Sequence, residues 1–314
     1  MEKSFRMELA GRPLIVETGK MAKQASGAVL VRYGETVVLV TSTASKEARE
    51  GMDFFPLTVD YEEKMYAVGK MPGGFLRREG RPGNSAILNA RLIDRPIRPL
   101  FDKRCRNDIH VMATVLSVDY DNAPELCGML GASASLGISD IPWDGPIAGV
   151  RVGRVDGKFV INPTQEQLKV STLNITVAGS ETAILMVEGG AQEAPEEDVL
   201  DAIMFGNETI KELVAFQKKI IEEVGKLKRI LIFPEIPEEI KTAIYAYAER
   251  PLKEAIFNPD KLTREAHMEE VRKEAEAHFK EIYPENGSDI AECLNHLTKE
   301  IVRHMISVDK IRPD

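Results

Sequence analysis

The residues with the most chemical potential lie between positions 73 and 106. The stretch GGFLRREGRPGN, residues 73–84, holds four glycines, one proline and three arginines (Arg77, Arg78, Arg81), with Phe75 and Leu76 placed just before the first cation. An aromatic ring beside cations on a Gly-bounded loop is what sequence-tolerant binding of single-stranded RNA requires: the ring stacks on a base and the guanidiniums meet phosphates. In the following segment, SAILNARLIDR, Arg91 and Arg95 are four apart and share a helix face. Arg98 extends that basic line only if the chain stays helical beyond Pro96. From Lys64 to Arg106 there are eleven Lys or Arg against three acids (Glu79, Asp94, Asp102), a window of +8 in a chain of net charge −9. A basic island on an acidic protein focuses a positive potential toward an anionic ligand. Two plainer readings compete with this one: a solvated basic face, and a surface loop whose Phe75 tucks inward.

Other residues offer less chemistry. The three cysteines (Cys105, Cys127, Cys293) are far apart, odd in number and without metal-ligand spacing, which fits a reducing compartment. Four of the five histidines (His267, His278, His296, His304) fall in a C-terminal stretch that reads as helical surface. Asp140 and Asp144 in SDIPWDGP are a nearby carboxylate pair and read as turn and cap residues. These residues yield no metal ligand set and no catalytic group. No apolar run is long enough to cross a membrane, and MEKSFRMELAGR lacks a signal-peptide core, so the expected location is the cytoplasm.

The basic island needs elements to hold it. With 314 residues and 43% hydrophobic content, about two domains are expected. SFRMEL alternates as a half-buried strand, and AVLVRYGETVVLVTSTA reads as a hairpin turning at Tyr33-Gly34-Glu35-Thr36. DIHVMATVLSVDY is a strand with Val111, Ala113, Val115 and Ser117 on one face. PELCGMLGASASLGISD reads as a helix whose small residues allow close approach to a sheet. Two more hairpins follow, one turning at Asp156-Gly157 with a type I′ signal and one near Gly179-Ser180. A long amphipathic helix then runs from Pro195 to a C-cap at Gly225. For the basic segment, Asn84 or Ser85 is the expected cap, Leu88 and Leu92 form an apolar stripe, and Pro96 is expected to end or kink the helix at Arg95. After LIFPEIPEE the period-2 pattern disappears, and three helices fit about 237–257, 260–282 and 288–308. The fold class is therefore α+β followed by a small all-α domain, divided as 1–232, a linker at 233–237, and 238–311.

The run GGFLRREGRPGNSAILNARLIDRPIRPLF closely resembles bacterial polynucleotide phosphorylase, a family of phosphorolytic 3′-to-5′ exoribonucleases. The family's Phe-Phe-Arg-Arg loop stands here as Phe75-Leu76-Arg77-Arg78, so one stacking ring is replaced. ISDIPWDGPIAG, FVINPTQEQL and VAGSETAILMVE match in order along the chain. The resemblance implies a first ribonuclease-PH-like core and then the family's helical domain, with RNA gripped through Phe75, Arg77, Arg78 and Arg81, and through Arg91, Arg95 and Arg98 toward the active site. It also implies a second core that supplies the phosphate site and the metal-binding carboxylates. The closing IRPD resembles the start of that core, which would begin at residues 312–314. In STLNITVAG, Asn174 takes the place of the second core's acid. A neutral amide is a poor ligand for a hard divalent ion. Magnesium is therefore expected in the complete enzyme and not in this chain. The implied partners are single-stranded RNA, phosphate and two further copies in a homotrimer. Two alternatives remain open: a non-catalytic RNA-binding and assembly module, and a scaffold that binds only protein through its acidic helices.

Overall fold

Alternating apolar and polar residues build the first sheet as a meander, because successive side chains of a strand face opposite sides. Its strands are β1 (Lys3–Leu9), β2 (Arg12–Thr18), β3 (Gly27–Tyr33) and β4 (Thr36–Ala48), each antiparallel to the next. The computed structural model describes residues 2–48, 54–231 and 236–313. Next come β5 (Leu57–Glu63), α1 (Asn84–Ile97) and β6 (Asn107–Ser117). Because the chain crosses over through the basic loop and α1, β5 lies parallel to β6, and the order is β1-β2-β3-β4-β6-β5. The crossover thus leaves β5 at an edge, next to the basic island.

Helix α2 (Pro124–Ile138) is buried at every position from Leu126 to Ile138. Its small residues make that possible. A Cβ on Gly131 would stand 2.4 Å from Val40 of β4, and a Cβ on Gly149 would stand 2.3 Å from Met129 of α2. So α2 is the middle layer, with the first sheet on one side and the second on the other. The second sheet comprises β7 (Ala148–Val155), β8 (Lys158–Ile161), β9 (Leu173–Gly179) and β10 (Ile184–Ala191), in the order β10-β9-β7-β8. Asp156 and Gly157 both have positive φ (49° and 76°), as a type I′ turn between β7 and β8 requires. Between β8 and β9 lies the short α3 (Gln165–Val170), capped by the Thr164 side chain. Helix α4 (Glu196–Val224) covers β7 and β9, with Gly206 set against Val152.

The chain divides into two compact units, Met1–Ile232 and Phe233–Asp314. Most of the expected linker lies outside the described residues. In the second unit α5 (Glu238–Ile256), α6 (Lys261–Ile282) and α7 (Gly287–His304) pack around Ile244, Leu252, Phe279, Leu294 and Leu297, and α7 ends in a π-type turn at Met305–Asp309. The Asp260 carboxylate caps α6 by accepting the Thr263 N–H at 2.8 Å. Among the described residues after Glu238 there is no strand.

Three local expectations are corrected. Neither Asn84 nor Ser85 caps α1: the cap position is Gly83, with no side-chain hydrogen bond. Pro96 does not end the helix, which runs on to Ile97 and into a 3-10 turn at Arg98–Leu100. Leu92, Ile93, Pro96 and Ile97 are all buried, so packing of this stripe outweighs the lost backbone donor. The expected stripe of Leu88 and Leu92 splits, since Leu92 is buried and Leu88 is 59% exposed. Gly225 does stand at the C-cap of α4, but its φ is −67°, so no left-handed turn is needed there. A Cβ would instead lie 2.3 Å from the Ile221 carbonyl oxygen, and close approach is what favours glycine.

Candidate nucleic-acid interface

The loop between β5 and α1 presents its apolar residues outward. Phe75 is fully exposed (103%) and Leu76 nearly so (76%), so the inward-tucked alternative does not hold. A tight turn carries them, closed by the Arg77 N–H donating to the Gly74 carbonyl at 2.9 Å. Arg77 itself has φ 47°, a left-handed conformation that costs a side-chain-bearing residue about 1 kcal/mol. Arg77, Arg78 and Arg81 are exposed, and among the described residues their side chains make no hydrogen bond or ion pair. A Cβ on Gly73, Gly74, Gly80 or Gly83 would meet nothing within 4 Å, so these glycines stand in open space.

The helix arginines differ among themselves. Arg91 is exposed and likewise without an ionic partner among the described residues. Arg95 is paired with Glu188 of β10 at 2.5 Å. Arg98 is held more firmly. Its guanidinium grips both oxygens of Asp94 (2.8 and 2.7 Å), donates to the Leu57 carbonyl at 3.0 Å, and stacks over Phe55. A groove of about 330 Å³ opens between the edge strand β5 and α1, with Thr58, Asp60, Pro82, Ile87, Arg91 and Asp94 among its walls. Asp60 is engaged across the sheet by His110 at 2.8 Å. Of the arginines singled out from the sequence, those without a side-chain partner among the described residues are therefore the three loop arginines and Arg91 at the groove.

Residue-type reasoning passed over Glu79, which it counted only as an offset to the local charge. Its carboxylate accepts the Met65 N–H at 2.9 Å and lies 3.4 Å from Lys64 Nζ. Lys64 also pairs with Glu62, and the hydrogen bond to Glu62, with Glu79 adding to it, holds the ammonium above its ordinary pKa. Nothing in the sequence marks that contact beyond the lone acid in a basic loop.

The described residues gather no donor set for a divalent cation. Among the described residues no three His, Cys, Asp or Glu side chains converge. Asn174 is exposed on β9 between Gly153 and Gly190, and offers a neutral amide. Asp140 is committed elsewhere, accepting from Arg229 Nε at 2.6 Å, and that hydrogen bond holds its carboxyl below the ordinary range. Cys105, Cys127 and Cys293 are buried free thiols, and burial pushes each above its usual pKa. Among the described residues no helix is long and apolar enough to cross a membrane.

Residues 10–142 match the 3′ exoribonuclease family, domain 1, and residues 145–209 match domain 2 of the same family. Residues 239–314 match the polyribonucleotide nucleotidyltransferase RNA-binding domain. A polyribonucleotide nucleotidyltransferase of Heliobacterium modesticaldum is 57% identical over 310 residues, 99% of this chain. The chain belongs to the polyribonucleotide nucleotidyltransferase family. Another member, from Geobacillus kaustophilus, is 55% identical over 312 residues. This chain spans only 44% and 43% of the length of these two relatives. The fold agrees: a crystal structure of rice (Oryza sativa) Rrp46 superposes with a TM-score of 0.53 at 14% identity, covering 70% of this chain and 94% of that one. The first unit is thus a mixed α/β core of the ribonuclease PH type, and a helical unit follows it.

Proposed function

We propose that this chain is the RNA-gripping part of a phosphorolytic 3′-to-5′ exoribonuclease that acts in mRNA turnover. In the complete enzyme an oxygen of inorganic phosphate attacks the 3′-terminal phosphorus. The bond to the preceding nucleotide's 3′ oxygen breaks, and a nucleoside diphosphate leaves. Magnesium belongs to that complete enzyme, which we place in the cytoplasm as a homotrimer. Among the described residues of this chain no donor set for magnesium is gathered. The family resemblance and the relatives' printed names support this reading.

The single observation that carries the role of this part is the outward Phe75 beside the unpaired Arg77, Arg78 and Arg81. Phe75 stacks on a base, the three arginines meet successive phosphates, and Arg91 continues the contact along the groove. Arg95 and Arg98 join only by exchanging Glu188 and Asp94 for phosphate, so they contribute less. A second reading, a non-catalytic RNA-binding module, is favoured by Asn174 in place of an acid. Both readings predict RNA binding, and a protein-only scaffold does not.

The test is titration of a labelled single-stranded RNA at several salt concentrations. Each single-strand phosphate contact contributes about 0.7 to the slope of log affinity against log salt. Arg77→Ala together with Arg78→Ala should flatten the slope by about 1.4 and weaken binding equally for all sequences. An unchanged slope would show that these cations do not meet the RNA backbone.

A further inference from the structure

The polar contacts that join the loop presenting Phe75 and the arginines to its unit converge on one residue. Among the described residues from 71 to 82, Glu79 is the only one that makes a hydrogen bond or ion pair outside the segment. Its two contacts converge on the junction where β5 ends at Glu63 and a 3-10 turn begins at Met65–Val68. That turn has no cap from its own N-cap residue, Lys64. The Met65 N–H is one of its orphan donors, and the Glu79 carboxylate satisfies it from fourteen residues away. The second oxygen faces Lys64, whose ammonium is already fixed by Glu62 at the end of β5. The clasp therefore ties a turn with Arg77 in a left-handed conformation (φ 47°) to the end of the edge strand β5.

We propose that Glu79 is the positioning residue of the RNA-gripping loop: its carboxylate clasps the Met65 N–H and Lys64, and the clasp presents Phe75, Arg77 and Arg78 together. This rests on the RNA-binding reading above. It makes a prediction opposite in sign to simple electrostatics. Removing an acid from a basic window, and releasing Lys64 as well, should tighten RNA binding if charge alone decides. If Glu79 positions the loop, its loss lowers the population of the binding-competent arrangement and weakens binding in proportion.

The experiment compares Glu79→Ala, Glu79→Gln and the Arg77→Ala/Arg78→Ala variant in the same chain. The first readout needs no RNA: the rate of tryptic cleavage after Arg77 and Arg78 in the parent and the two Glu79 variants, each divided by the rate for an unstructured peptide of the same local sequence, because an acid next to the cleaved bond slows trypsin by itself. The second is affinity for labelled single-stranded RNA, with a melting curve as the folding control. Glu79→Ala should be cleaved faster and bind RNA about fivefold more weakly at an unchanged melting temperature. Glu79→Gln keeps an oxygen for the Met65 N–H and should recover part of both losses. An unchanged cleavage rate, or RNA affinity that is unchanged or tighter in Glu79→Ala, overturns the proposal. If the double-arginine variant binds RNA as well as the parent, the RNA-binding reading fails instead, and the tryptic rate still reports on the clasp by itself.

Discussion

Arg95 Nη1 on α1 lies 2.5 Å from Glu188 Oε2 on β10, so the basic helix is tied to the edge strand of the second sheet. Both side chains are about half exposed (46% and 57%), and a pair of that kind contributes at most about 1 kcal/mol to stability. Its larger consequence is for charge. While Glu188 holds Arg95, one cation of the island is neutralised.

Glu188→Ala should therefore release Arg95 to RNA. The expected result is tighter binding and a salt slope steeper by about 0.7, equivalent to one more phosphate contact. The melting temperature should hardly move. An unaltered slope in a salt-dependent RNA titration would mean that Arg95 does not reach the strand.

Phe75→Ala separates stacking from charge. The ring is fully exposed, so its removal costs the fold nothing. Loss of a base-stacking platform should weaken RNA binding by about 1–3 kcal/mol with little change in the salt slope. A drop in melting temperature, or full retention of affinity, would contradict the stacking role.

The 314-residue chain by itself should not phosphorolyse RNA. Asn174 offers an amide where the resemblance implies an acid in the second core, and the described residues bring no three metal-ligating side chains together. Release of nucleoside diphosphates from RNA by the purified chain, dependent on phosphate and magnesium, would refute this.

Asp140 sets an acid limit on stability. The Arg229 guanidinium hydrogen-bonded to it holds its carboxyl below the ordinary value. The unfolded chain then takes up a proton before the folded one does. The stabilisation is complete above the unfolded pKa of about 3.9 and is lost as pH falls through the lower folded value. Asp140→Asn should cost about 1 kcal/mol near neutral pH, a fall of about 2–4 °C in melting temperature for a unit of this size. Below about pH 4 the difference from the parent should shrink. A melting series from neutral to acid pH checks this, and a difference constant across the series would exclude Asp140 as the titrating group.

Patterns carried by near neighbours were legible in the sequence. The Asp156-Gly157 turn, the hairpin at Gly34, the small-residue helix around Gly131 and the three C-terminal helices all follow from local dihedral preference and from periods of two or four residues. A basic surface loop was legible too, because Gly and Arg leave little to bury, but only the structure decided that Phe75 faces outward. Tertiary structure alone decided how far α1 runs, since Pro96 reads locally as a stop and is overridden by burial of Ile93 and Ile97. It also decided which arginines are free. Asp94 is one helical turn from Arg98, but Glu188 meets Arg95 from 93 residues away, on a strand of the other sheet. Glu79 finds Lys64 and Met65 only because the crossover returns the loop to the end of β5. Ion pairs between distant segments depend on strand order and layer packing, and these are properties of the folded topology that no local pattern of residues contains.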